Sequence, residues 1–118
     1  MRKSLNECRV ENISCLKNGQ GITTVINFFE DENFHSKGRL FGISIIEPGA
    51  SIGIHTHLED QEAYFILDGK GIYNDDGVEY EVNPGDLLIC EDGHSHGLKN
   101  ASDIDLRYIA LIIYTKEK

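Results

Sequence analysis

A chain of 118 residues has room for one domain and can bury enough surface to fold without disulfides. Eleven basic residues stand against 20 acidic ones, a net charge of −9. A surface of that sign repels phosphate backbones and anionic lipid, which argues against nucleic acid and membrane as partners.

The first 21 residues are polar and weakly patterned, and end in the turn signal Lys17-Asn18-Gly19-Gln20-Gly21. Residues 22–29, rich in Ile, Thr, Val and Phe, predict a strand. Residues 30–38 are charged and turn-like, with His35 as a solvated loop residue. Residues 39–46 predict a second strand, closed by Glu47-Pro48-Gly49 in the pattern of a type II turn. Short strands then recur at 51–56, 63–67, 71–73, 78–82 and 87–90, separated by turn clusters at 74–77 and 83–86. The final strand, 106–115, is apolar on both faces: Leu106, Tyr108, Ala110 and Ile112 on one, Ile109, Leu111 and Ile113 on the other. Both faces need a cover, either as a central strand of a sandwich or as a dimer interface. No segment carries a helical period, so the pattern is that of an all-β sandwich or barrel.

Three cysteines, Cys8, Cys15 and Cys90, form no CxxC pair, which suits a reducing compartment. Arg2 and Lys3 have no apolar stretch behind them, so no secretory signal is expected. The longest apolar run, 108–114, is far short of the roughly 20 residues of a membrane helix, and the expected location is the cytoplasm. Cys90 reads as a buried small apolar residue.

The chemistry concentrates in two stretches. His55 and His57 lie two apart in a strand-like run and therefore share a face. Glu62 opens the next apolar alternation and meets them if the chain turns between. Glu59, nominally on the face of His57, is a rival carboxylate. Three ligand-type side chains on an apolar background read as most of a metal site. A second His-x-His pair, His94 and His96, follows a strand and a turn.

Together these stretches resemble the cupin superfamily, in the form of a small single-domain member with both motifs. The first motif, G-x5-H-x-H-x4-E-x6-G, is met at Gly49, His55, His57, Glu62 and Gly69. The second, G-x5-P-x-G-x2-H-x3-N, is met at Gly85, Gly93, His96 and Asn100, with Glu91 in place of the proline. Asn100 is expected to fix a loop through its side chain. The resemblance covers about residues 38–115, and 1–37 form an N-terminal strand and loop extension of a single domain, 1–118.

It implies an all-β cupin β-barrel, the double-stranded β-helix or jelly roll of two antiparallel sheets. It also implies one divalent transition metal per chain, held by His55, His57, Glu62 and His96. Imidazole and carboxylate suit Mn, Fe, Co, Ni, Cu or Zn, and four protein ligands on an octahedral ion leave two positions for water or a bidentate small molecule. Burying four ionisable groups without a cation would be costly.

His94 and Tyr64 are the candidates for moving protons. Against that stand plainer roles: an exposed loop histidine, and a tyrosine lining the pocket. The fold hosts dioxygenases, decarboxylases, isomerases, lyases and binders. The expectation is a small metalloenzyme acting on a carboxylate- or sugar-like molecule. The alternative is a non-catalytic, metal-dependent binding module, sensor or accessory protein. Such small members commonly form homodimers.

Overall fold

A computed structural model describes residues 1–117 and contains ten strands among them. They are β1 (Arg9–Ser14), β2 (Ile22–Asn27), β3 (Gly38–Ile46), β4 (Ser51–Thr56) and β5 (Asp60–Asp68). Then come β6 (Gly71–Asp75), β7 (Val78–Val82), β8 (Leu87–Cys90), β9 (Ser95–Asn100) and β10 (Leu106–Tyr114). The helical content is three single turns of 3-10 type, at Leu5–Glu7, Leu16–Asn18 and Asp31–Phe34. No helix among the described residues is long and apolar enough to cross a membrane.

The strands form two antiparallel sheets, one in the order β1-β2-β3-β10-β5-β8 and the other β4-β9-β6-β7. This is the two-sheet jelly roll implied by the resemblance. Ile46, Ile66, Leu106 and Tyr108 from the larger sheet pack against Ile52, Tyr73, Val82 and Leu98 from the smaller. Alternation along β10 buries Leu106, Tyr108, Ala110 and Ile112 to 4% exposure or less. The central-strand reading of β10 is met. It is central in its sheet, between β3 and β5, yet its outer face is left open, with Ile113 39% exposed.

Two strands went unread in the sequence. Arg9–Ser14 is polar because β1 is an edge strand with mostly exposed residues, so no apolar alternation marks it. Ser95–Asn100 reads as loop because the buried positions of β9 include His96 and Asn100. The strand expected over 22–29 ends at Asn27, and Phe28 and Phe29 each pack edge-on against Phe41 with ring centroids 5.1 Å apart.

Two irregularities position the interior. In β4 the register with β9 shifts between Ile52 and His55. Strict alternation would send these two residues to opposite faces. The bulge lets Ile52 enter the core while His55 lines the same interior, and Ile54 is turned out to 65% exposure. In β3, Leu40 opposes Ile112 and Gly38 opposes Ile113, which leaves Arg39 as the extra residue.

Candidate metal centre

The four motif side chains meet between the sheets. His55 and His96 are directly opposite one another on β4 and β9, and Glu62 approaches from β5 in the facing sheet. His57 lies just past β4, and its peptide is locked to the second motif: its N–H donates to the His94 carbonyl at 3.0 Å, and Gly93 N–H donates to the His57 carbonyl at 2.7 Å. The two motifs, far apart in sequence, are thus stitched backbone to backbone. His57, Glu62 and His96 are 4% exposed or less, and His55 is partly buried.

One potential ligand atom from each residue falls within 4.8 Å of the others. His57 Nε2 and His96 Nε2 are 3.0 Å apart, His96 Nε2 and His55 Nε2 3.1 Å, and Glu62 Oε1 is 3.1 Å from both His57 Nε2 and His96 Nε2. Glu62 Oε1 and His55 Nε2 are 3.9 Å apart. Ligand atoms about 2.1 Å from an octahedral centre lie about 3.0 Å apart when adjacent and about 4.2 Å apart when opposite. The four short separations fit adjacent positions, and the long one approaches the opposite relation.

The outer nitrogen of each ring is held as well. His55 Nδ1 meets the Gly53 carbonyl at 2.8 Å and His57 Nδ1 meets Asp60 Oδ1 at 2.7 Å. A carbonyl and a carboxylate only accept, so in both rings Nδ1 donates, and Nε2 presents inward a lone pair when the ring is neutral and an N–H towards Glu62 when it is protonated. His96 Nδ1 pairs with the Tyr73 hydroxyl at 2.9 Å. Lone pairs and a carboxylate crowded to about 3 Å repel unless protons or a cation share the space, so the donor set fits a metal ion.

Electrostatics inside the cluster follow from this crowding. Burial works to raise the Glu62 carboxyl, but hydrogen bonds from His55, His57 and His96 overcome it and hold the group well below the usual carboxylate range. Burial likewise favours neutral His57, yet Glu62 and Asp60 outweigh it and raise the imidazole. At His96 burial prevails, and its pKa is lowered despite Glu62. Tyr64 is 2% exposed and stacks on the His96 ring, with centroids 5.0 Å apart. Burial first, and then the Glu62 charge, push its phenol well above the ordinary value, so it stays a neutral donor.

The remaining candidates lie elsewhere. His94 is not brought to the cluster: its ring is exposed and its Nδ1 meets Asp76 Oδ2 at 3.0 Å, so its link to the centre is its backbone carbonyl. Glu59 is exposed on a left-handed turn, φ +65°, outside the four. Cys90 is buried, and its thiol is pushed up to about 11 by burial and then by Glu62. Asn100 bonds the Ile46 and Ile104 carbonyls at 2.9 and 2.7 Å, tying the end of β9 to its neighbours.

Sequence reasoning missed Asp60 and Tyr73, which orient two of the histidines. Asp60 was hidden beside the rival Glu59, and only the spacing His57-x2-Asp60 hinted at it.

The cluster opens into a cavity of about 210 Å³ between the sheets. A larger hollow of about 440 Å³, at β4, β6 and β9, is lined by no histidine or cysteine.

A family model described as "Cupin domain" matches residues 42–114. An oxalate-binding protein of Thermotoga maritima is 34% identical over 108 residues, which cover 92% of this chain and 89% of the relative. The crystal structure of a protein described as a predicted oxalate decarboxylase of Thermotoga maritima superposes with a TM-score of 0.92 at 33% identity, covering 97% of this chain and 99% of that one. A polyketide cyclase from Streptomyces resistomycificus shares the fold alone, with a TM-score of 0.78 at 18% identity over 99% of this chain and 80% of its own.

Proposed function

Starting from a chain that belongs to the cupin family, we propose that His55, His57, Glu62 and His96 hold one divalent transition metal and that the protein uses it to bind a small carboxylate. The observation that carries this reading is the set of 3.0–3.1 Å separations among four buried or half-buried ligand atoms at the wall of a cavity. The bound ion supplies Lewis acidity and exchangeable positions for carboxylate oxygens. The chain's own residues do the rest. Gly53, Asp60 and Tyr73 set the orientation of the three rings, while Ile52, Tyr108 and Ile112 give the cavity an apolar wall that limits water. Similarity to an oxalate-binding protein supports a compact dicarboxylate as the ligand class.

Turnover of that ligand is the second reading, and Tyr64 favours it. Its buried, neutral side chain lines the cavity together with Glu62, a donor that a decarboxylase, isomerase or lyase step needs. His94, exposed and paired with Asp76, has no such access.

Calorimetric titration of Mn(II)-loaded protein with oxalate, followed by assay of the mixture for formate and CO2, tests both readings. Saturable binding at one site per chain is expected. No binding with metal in place would sink the carboxylate reading, and binding without product in every metal form would leave a binding module.

Assembly forms part of the proposal. Val10, Ile26, Ile43, Ile109, Phe65 and Leu87 are successive cross-strand partners, an apolar row across all six strands of the larger sheet on its outer face. Six strands at about 4.8 Å spacing make this row roughly 24 Å wide, the scale of an interface burying about 800 Å² per partner. Its occupant is a second copy of the chain, paired face to face. The free thiols of Cys8, Cys15 and Cys90 suit the reducing cytoplasm as the place of work.

A further inference from the structure

One cation on the cavity wall is not among the four ligands of the centre and touches it only through Asp60. Alternation along β3 would turn Arg39 outward with Phe41, but the bulge opposite Ile112 and Ile113 leaves it unpaired in the ladder, and its side chain, 46% exposed, stands at the mouth of the cavity that Leu40 lines. The bulge has a sequence requirement, because a Cβ at Gly38 would stand 2.6 Å from the Ile112 carbonyl oxygen.

The guanidinium is also held in place. Arg39 Nε donates to Asp60 Oδ2 at 3.0 Å, while Asp60 Oδ1 takes the proton of His57 Nδ1 at 2.7 Å. One buried carboxylate therefore sets both the His57 ring and the Arg39 fork. The two terminal amino groups of Arg39 have no protein partner among the described residues. Arg9, also on the cavity wall, differs: Glu11 at 3.0 Å and Glu30 at 3.1 Å already occupy it.

We infer that Arg39 is the second anchor for the ligand, pairing its two terminal amino groups with the carboxylate edge that faces away from the four-residue cluster. The site thereby selects compact dianions over singly charged chelators. This rests on the metal-centred reading above and adds a specificity residue to it. Arginine is suited to the task because its planar fork matches a carboxylate at two points. The cavity is small: about 210 Å³ lies below the roughly 300–1,000 Å³ of sites for drug-sized molecules, so both ends of the ligand must be close together. Its charge agrees too. On a chain of net charge −9, Arg9, Lys17 and Arg39 line this cavity against Glu11 and Glu62.

The test titrates Mn(II)-loaded wild type, Arg39→Gln and Arg39→Lys with two probes: oxalate, a dianion, and acetohydroxamate, a chelator without a second carboxylate. Arg39→Gln is expected to weaken oxalate about 10–100-fold, the scale of hydrogen bonds to charged groups, and to leave acetohydroxamate and metal content unchanged. Arg39→Lys, which keeps the charge and loses the fork, is expected to fall between. Unchanged oxalate affinity in Arg39→Gln would overturn the inference. Loss of metal and of both probes would also overturn it, because Arg39 would then act only through Asp60 and His57. Wild type that binds acetohydroxamate and not oxalate overturns the dianion site alone. Wild type that binds neither brings down the metal-centred reading and this inference with it.

Discussion

On its inner face the six-stranded sheet carries Ser44, Glu62, Tyr64 and Tyr108, all 4% exposed or less, with Glu62 3.1 Å from both His57 and His96 and Tyr64 stacked on His96. On its outer face the same strands carry Val10, Phe65, Leu87, Ile89 and Ile113, which are 39–60% exposed. Buried polar groups therefore sit among the apolar core residues of the inner face, while exposed apolar side chains lie on the outer one. The inner face tolerates Glu62 because the histidines meet it with fixed geometry; Thr23 Oγ1 on the same face is buried without a hydrogen-bond partner, a cost of about 1–3 kcal/mol. Among the described residues these outer side chains stay exposed, which is why a second copy is proposed to complete the surface. The proposed ligand chemistry and the proposed assembly thus fall on opposite sides of one layer, and each side can be broken alone.

The largest effect belongs to the inner face. His57→Ala or His96→Ala should reduce metal content from about one ion per chain to near none, measured by elemental analysis after expression in defined metals. Asp60→Asn leaves all four donors in place and removes only the charge behind His57. It should weaken metal binding about 10–100-fold in a competition with a chromophoric chelator. Full metal content in His57→Ala or His96→Ala would contradict the assignment of the centre.

Substitution on the outer face should change mass instead. Phe65→Glu or Leu87→Glu places a carboxylate in the apolar row, and light scattering should report half the wild-type mass with metal content retained. A wild-type protein that is monomeric at high concentration refutes the pairing. Loss of metal together with the dimer would show that the two faces are coupled after all.

A smaller effect lies in the pH dependence. Metal binding requires neutral imidazoles, so affinity falls as protons compete, about tenfold per pH unit for each proton displaced. Burial alone would keep His57 neutral, but Glu62 and Asp60 raise it above the ordinary 6.5, so it takes up a proton earlier than a free imidazole as pH falls. His96, lowered by burial, resists longer. Asp60→Asn removes one of the raising contacts, and the decline in affinity should shift to lower pH. Chelator competition across the imidazole range checks the sign, and a shift to higher pH would contradict it.

Much of the candidate site was legible because ligand spacing is a local property. The interval between His55 and His57, the step to Glu62 and the second pair at His96 can be read along the chain, as can the turns that separate β4 to β8. Tyr64 was legible for the same reason, two residues after Glu62 on one face of β5. What could not be read was set by partners remote in sequence. Arg9–Ser14 carries no alternation of its own and becomes a strand because β2 pairs with it. His94 and His96 share a motif and a face by period, yet His94 precedes β9, lies in the loop and turns out to Asp76. Asp60 looks like any loop acid until His57 and Arg39 close on it from two directions.

By itself, then, the sequence determined the strand-rich class, the family and the four candidate ligands, because side-chain period and motif spacing are carried by consecutive residues. The tertiary structure alone decided where those side chains point. The bulge in β4 brings Ile52 and His55 to one interior, and the bulge in β3 brings Arg39 to the mouth of the cavity. A bulge is a mismatch in length between two paired strands, and only pairing can create it.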